Sequence, residues 1–504
     1  MTQQTPDSNP HHKKNLPPSL ATKRAEYSPE PNQGPESIQD AENVELYRNI
    51  AEIRRSQRHF FDSNQTHSLD FRYQQLNNLK KALNNSETEI FQALKEDLNR
   101  SQAETYLTEI GFIYQEIRHV IKSLKKWSAP SRVKTPLMLQ PAHSKIVRQA
   151  KGCVLIISPW NYPLQLALMP LIGAIAAGNC VVIKPSEHAP ASAKIFAKII
   201  STAFAPNYVA LIQGPTRVSE ALLEHHWDHI FFTGSTAVGK KIASAAAAHL
   251  SPVTLELGGK SPCIITRSAN IKVAARRVAW GKFFNCGQTC VAPDYLLIHK
   301  SVKSTFIREL IKAIESSFSD QPLRSQDYGR IINKNHTLRL SKLINQSDVI
   351  YGGKTIAEER YIAPTLVDCK SPDAPIMSQE IFGPVLPIIE YESRGEIEHW
   401  VKKNANPLAF YLFTEDKQDI KLLYEKISFG GGCINDTIAH VANIHMPFGG
   451  IGASGIGACH GKDSFDTFSH KKSTLINTTK VDLAIRYQPY TNFKFKLIKF
   501  LSKF

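Results

Sequence analysis

The chain has 504 residues, 42% of them apolar, which is an ordinary share for a soluble globular protein and too long for one simple core, so two or three domains are expected. Lys and Arg number 61 against 45 Asp and Glu, a net charge of +16, yet there is no zinc-finger spacing, no RNP-like aromatic motif and no long Lys/Arg block in the body; the excess reads as a basic surface, and no nucleic-acid partner is expected. The eight cysteines, at 153, 180, 263, 286, 290, 369, 433 and 459, form no CxxC pair and no regular framework, which argues against a disulfide scaffold or a metal site and for a reducing, cytoplasmic compartment.

Residues 1–41 are rich in Pro, Gln, Asn and Ser, lack apolar periodicity and are expected to be a disordered leader; with no apolar h-region, they do not read as a secretory signal. Ser86-Glu87-Thr88-Glu89 reads as a capping box before a helix carrying Ile90, Phe91, Leu94 and Leu98. Ile110, Ile113, Ile117, Val120, Ile121 and Leu124 recur at helical spacing. Short apolar runs then alternate with helical stretches: strands at 154–157, 180–183, 208–212, 229–232 and 253–257, with helices at 164–177, 191–204 and 237–248 between them. Continuous apolar strands alternating with helices predict a doubly wound parallel sheet covered on both faces, which binds ligands at its strand carboxyl ends. After Gly258-Gly259 a second α/β unit is expected, with strands near 262–265 and 295–298 and a helix near 301–317.

Four successive strand tips carry polar groups: Ser158-Pro159-Trp160-Asn161-Tyr162-Pro163, Lys184-Pro185-Ser186-Glu187, Thr233-Gly234-Ser235-Thr236-Ala237-Val238-Gly239, and Glu256-Leu257-Gly258-Gly259-Lys260. Together they predict a polar crevice, and the N–H groups of 234–239, at a helix start, suit a phosphate. Gly450-Ile451-Gly452-Ala453-Ser454-Gly455 fits G-x-G-x-x-G, but no strand clearly leads into it and too little chain follows for a βαβ unit, so a tight loop is expected there. The run Asn285-Cys286-Gly287-Gln288-Thr289-Cys290 sets two thiols four residues apart at a glycine turn, where backbone N–H groups favour a thiolate.

These motifs, with Glu380-Ile381-Phe382-Gly383-Pro384 and Gly461 to His470, resemble the aldehyde dehydrogenase superfamily over about residues 45–490, and its class 3 branch of fatty and coniferyl aldehyde dehydrogenases in particular. The resemblance implies Cys290 as nucleophile, Glu256 as the base that activates water and Asn161 as oxyanion donor, with Cys286 a non-catalytic neighbour. It implies cofactor contacts from Lys184, Glu187, Gly234, Ser235, Thr236, Ala237, Val238, Gly239, Glu380 and Phe382, and a substrate tunnel near Tyr162, Trp280 and His440. Glu187 should disfavour a 2′-phosphate, which points to NAD; Lys184 nearby leaves NADP open. Gln379, where many relatives have an acid, touches cofactor preference and not catalysis.

The implied architecture is a cofactor-binding domain at 42–256 with a contribution from about 448–466, a catalytic domain at 257–447, and a small β bridging unit from 133–151 and 467–485 that serves a homodimer. The implied reaction is NAD(P)-dependent oxidation of an aromatic (coniferyl-like) or medium-to-long aliphatic aldehyde to the acid. A CoA-acylating enzyme and a catalytically silent membrane-associated scaffold are the alternatives. In the tail, Phe493, Leu497, Phe500, Leu501 and Phe504 fall on one helical face, opposite Lys496, Lys499 and Lys503. Packing of this helix at 491–504 or capping of the tunnel is expected in preference to peripheral membrane contact.

Overall fold

The computed structural model describes residues 38–503, with side chains from residue 44. A helix, Ile38–Asp62, comes first, so residues 38–41 are helical and not part of a leader; the rest of the expected leader lies outside the described residues. The residues from Leu46 onward form one unit.

Its first sheet runs Gly455–Ile456, Val253–Glu256, His229–Thr233, Cys153–Ile157, Cys180–Lys184, Val209–Leu211. All neighbours are parallel except the first pair. Every residue of Cys153–Ile157 and Cys180–Lys184 is buried, because helices cover both faces of a parallel sheet. Chain order reverses between Cys153–Ile157 and His229–Thr233, and the tips of those two strands carry Asn161 and Gly234. That reversal is where a crevice opens in such sheets.

The second sheet runs Asp348–Tyr351, Thr365–Asp368, Val385–Tyr391, Tyr295–His299, Pro262–Ile265, Ala409–Phe413, Gly431–Ile434, again parallel apart from its first pair. A three-stranded antiparallel sheet has His143–Ala150 between Ser131–Val133 and Ser469–Ile476. The fold is therefore the expected α/β one with a small β unit. The antiparallel sheet begins at Ser131, two residues before the expected start, and no strand forms in 477–485.

One local expectation fails, and of the two placements expected for the tail helix one is seen. Ser86 makes no side-chain cap bond, because it also ends the preceding helix, Leu69–Asn85; its φ of −110° and ψ of 6° are not the extended geometry that aims a hydroxyl at the next N–H groups. The tail helix, Asn492–Leu501, divides its apolar residues: Ile498 and Leu501 line a groove with Leu137–Pro141, while Phe493, Phe495 and Phe500 are 75%, 55% and 59% exposed. Lys494 turns back to the carbonyls of Tyr487 and Pro489. No described residue of this helix lines the cavity beside Cys290, so the helix packs on the antiparallel unit and does not cap the tunnel of its own chain. Phe504 lies outside the described residues.

The G-x-G-x-x-G stretch is a one-turn helix, Gly452–Ser454, leading into Gly455–Ile456, which pairs with the strand ending at Glu256.

Candidate active site

The helix Ile271–Phe283 delivers the chain into a turn in which Asn285 and Cys286 hold φ of 50° and 51°. Gly287 follows at φ 70°, and a Cβ there would lie 2.3 Å from the carbonyl oxygen of Gly383, so only glycine fits. Gln288 pins the turn: its Nε2 donates to the carbonyls of Asn285 (3.1 Å) and Arg330 (3.0 Å), and its Oε1 accepts from Ile332 N (2.9 Å).

This turn separates the two thiols. Cys286 is buried in the core with Tyr328, Tyr295 and Leu340, and burial pushes its pKa up to about 12. Cys290 is partly accessible and lines two cavities at once. One, of about 150 Å³, is walled by Leu107, Phe112, Tyr162, Trp280, Phe284 and Val291. The other, of about 530 Å³, is polar, with Asn161, Gly234–Thr236, Glu256–Lys260, His336, Arg339, Glu380 and Phe382. Leu166 and Phe448 also belong to both. Burial pushes the Cys290 thiol up to about 12, helped by Glu380 and Glu256 and opposed by the N–H groups of Cys290 and Val291.

Asn161 is 3% exposed, and its Nδ2 donates to the carbonyl of Gln288 at 3.0 Å, two residues from Cys290. Glu256 is 3% exposed, and no N–H or O–H group donates to either carboxylate oxygen; the weak donor beside it is the Cys459 thiol. Burial raises its pKa well above the ordinary carboxylate range, against a smaller pull from the Cys459 thiol. A buried carboxylate without N–H or O–H donors is costly unless it takes or gives a proton in use.

Of the expected tunnel residues, Tyr162 and Trp280 line the apolar cavity; the Tyr162 hydroxyl bonds Thr289 Oγ1 at 2.6 Å, and Trp280 is 41% exposed. His440 does not line it. Its neighbours Ala439 and Val441 do, while its ring turns to Cys433, with Nδ1 and Sγ 3.5 Å apart, because successive residues of a 3₁₀ turn face different ways.

Of the expected cofactor residues, Gly234, Ser235, Thr236, Glu380 and Phe382 line the polar cavity. Ala237, Val238 and Gly239 form the first turn of the helix Thr236–Ala248 behind it, with Ser235 capping Val238 N. Lys184 and Glu187 lie at the adjacent strand tip, outside that lining, and are paired with each other. The space suits a dinucleotide: a helix N-terminus faces it, and a Cβ on Gly234 would meet the Phe232 ring at 2.5 Å, so only glycine lets the loop sit this close to the strand end.

Sequence reading missed His336 and Arg339, which reach the cavity from one helix, Lys334–Asn345. Arg339 donates to the Ile381 carbonyl at 2.5 Å, and burial lowers the His336 pKa to about 4. Their three-residue spacing puts them on one face, but nothing local in sequence says what that face meets. It named Lys260 only as part of a polar strand tip and missed its pairing with Asp294, buried at 2.5 Å; Lys260 also donates to the carbonyls of Ile376 and Gln379, and Asp294 accepts from Ile381 N, so the pair fixes the Glu380 segment.

Residues 21–474 match the model of the aldehyde dehydrogenase family. The 4,4'-diaponeurosporen-aldehyde dehydrogenase of Staphylococcus aureus is 46% identical over 88% of this chain and 97% of its own. A dimeric, NADP-preferring aldehyde dehydrogenase of Rattus norvegicus is 41% identical over 87% and 98%, and further relatives at 41–42% carry family 3 names. The substrate-bound structure of Staphylococcus aureus AldH superposes with a TM-score of 0.88 at 45% identity, over 90% of this chain and 99% of that one. Fold, turn chemistry and kinship agree: the chain belongs to the aldehyde dehydrogenase family, in its class 3 branch, and is an NAD(P)-dependent aldehyde dehydrogenase.

Proposed function

We propose that Cys290 is the nucleophile for an apolar aldehyde oxidised to its carboxylic acid. The observation that carries this is the position of Cys290 on the wall shared by an apolar cavity and a polar one that holds Asn161 and Glu256. Cys290 gives its thiol proton to the Glu256 carboxylate across the polar cavity, which passes it to solvent; the thiolate adds to the carbonyl carbon, and the carbonyl oxygen takes the negative charge. The Asn161 carboxamide leaves the Gln288 carbonyl to donate to that oxygen, with Cys290 N–H as second donor. A bound nicotinamide supplies the hydride acceptor, and a thioester on Cys290 is left. Glu256 takes a proton from water, the hydroxide attacks the thioester carbon, and the thiolate leaves with the acid formed. Glu256 at this point favours water over CoA as the acyl acceptor. The intact trio also argues against a silent scaffold.

Gly234–Thr236 with the helix start behind them would hold the pyrophosphate, Lys184 and Glu187 the adenosine ribose, and Glu380 and Phe382 the nicotinamide ribose. The ionised Glu187 favours NAD, although the rat relative is named NADP-preferring. On this reading 42–256 with 448–466 is the cofactor domain, 257–447 the catalytic one, and the antiparallel unit serves a homodimer, supported by the dimeric name of that relative. Among the described residues no helix is long and apolar enough to cross a membrane, and a cytoplasmic enzyme is the reading we adopt.

The walls of the small cavity offer aromatic and aliphatic surface and no ionised group, which suits aromatic (coniferyl-like) or medium-to-long aliphatic aldehydes. The test is a panel of both kinds, with charged short aldehydes as controls, each with NAD and with NADP. The apolar members should give the highest kcat/KM and the free acid, with no dependence on CoA. A preference for the charged controls, or an acyl-CoA product, would overturn the reading.

A further inference from the structure

Arg100 lies between the helices Glu87–Leu98 and Gln102–Thr105, with its side chain 1% exposed. A guanidinium so buried is retained only where fixed acceptors meet it. One Nη2 donates to the backbone carbonyl of Asn161 at 2.6 Å and to Oδ1 of Asn285 at 2.8 Å, while Nη1 donates to Glu109 Oε1 at 2.5 Å. Its Cζ lies 4.8 Å over the Tyr162 ring.

These bonds belong to a closed circuit. Asn285 Nδ2 donates to the carbonyls of Asn161 (3.0 Å) and Gln288 (3.1 Å), and Gln288 O also accepts from Asn161 Nδ2. Asn285 N donates to Glu104 Oε1, and the other oxygen of Glu109 accepts from Leu164 N and Gln165 N at the start of the next helix. The Asn161 backbone and the turn ending at Cys290 come from segments about 130 residues apart. One cation ties both. Burial raises Glu109 above its usual range, against the Arg100 charge, and raises Glu104 to about 7.

Resting on the assignment of Asn161 as oxyanion donor, we infer that Arg100 is a positioning residue, which sets the distance between the Asn161 carboxamide and the Cys290 turn. It lines neither cavity. Displacement of a reacting group by about 1 Å costs on the order of 100-fold in rate, and loss of one oxyanion donor costs a similar factor.

The experiment is a cycle of Arg100→Lys and Asn161→Ala in the full-length enzyme, with kcat, KM for aldehyde and for NAD, and melting temperature measured for all four proteins. Arg100→Lys keeps the charge that Glu109 needs but cannot bond three acceptors in one plane. Arg100→Met with Glu109→Gln is the second variant; it removes both charges together if the first does not fold. Asn161→Ala should lower kcat about 100-fold. Arg100→Lys should lower kcat about 10-fold or more in the native background, with KM for NAD within about twofold, and should cost nothing further in the Asn161→Ala background. An equal loss from the Arg100 variant in both backgrounds, or a fall in melting temperature without a change in kcat, overturns the positioning role and leaves Asn161 as donor. An Asn161→Ala enzyme with unchanged kcat removes the assignment on which the inference rests, and the inference with it.

Discussion

Lys184 Nζ lies 2.6 Å from Glu187 Oε2, with the lysine 2% exposed at a strand tip and the carboxylate facing outward. Thr216 Oγ1 donates to the other oxygen at 2.9 Å. Burial alone would raise the Glu187 pKa, but these two partners outweigh it and hold the acid below its usual range, so it is ionised at neutral pH. A fixed negative charge opposes a 2′-phosphate. Glu187→Gln should raise the ratio of kcat/KM for NADP to that for NAD by about tenfold, or about 1.4 kcal/mol. Steady-state kinetics with both cofactors measure it, and an unchanged ratio would detach Glu187 from cofactor choice.

Burial, and then Glu380 and Glu256, push the Cys290 thiol up to about 12. In the cofactor-free enzyme its alkylation by iodoacetamide should therefore keep rising with pH past about 8.5, the ordinary thiol value. Mass spectrometry of the Cys290 peptide follows the rate. A plateau reached near neutral pH would show a resting thiolate, which this geometry does not provide.

Glu256 has no N–H or O–H donor on either oxygen and a raised pKa. As a base it acts only when ionised, so turnover should fall as pH drops through that raised value. Glu256→Gln should keep a first burst of NADH equal to the enzyme present and lose at least about 100-fold in steady turnover. Full steady turnover in that variant would remove Glu256 from deacylation.

Glu116 is buried, and its Oε1 accepts from Gly461 N at 2.8 Å while Oε2 has no partner. Burial raises its pKa from 4.5 to about 7. The folded state thus binds this proton more tightly than the unfolded state does, and the protein loses stability as pH rises from about 4.5 to about 7. Glu116→Gln keeps the acceptor and removes the titration. Urea unfolding at pH 5 and pH 8 should show the variant gaining on wild type at the higher pH; a constant difference would contradict this.

The strands and helices of the first sheet were legible because branched apolar runs bounded by polar tips leave few alternatives to buried parallel strands. Asn161, Gly234 and Glu256 could be picked out for the same reason: each lies at or just past the carboxyl end of a strand, where such sheets bind ligands. Arg100, His336 and Arg339 could not. Arg100 comes from the link between two helices, His336 and Arg339 from a helix far along the chain, and the meaning of each comes from tertiary contacts that no local spacing encodes. Ser86 misled because the same residue ends one helix and starts the next; the packing of the tail helix was expected, but not which of its apolar residues enter the groove and which stay exposed. His440 stands one position off the cavity wall, which its neighbours Ala439 and Val441 hold.

The turn at 285–290 hides one thiol and presents the other. Stopped-flow NADH formation with Cys290→Ala and Cys286→Ala, using an aldehyde that the native enzyme oxidises, tests it most directly. Cys290→Ala should give no burst and no turnover, while Cys286→Ala, once shown to be folded, should keep its burst amplitude. A burst surviving in Cys290→Ala, or vanishing only in folded Cys286→Ala, would contradict the account.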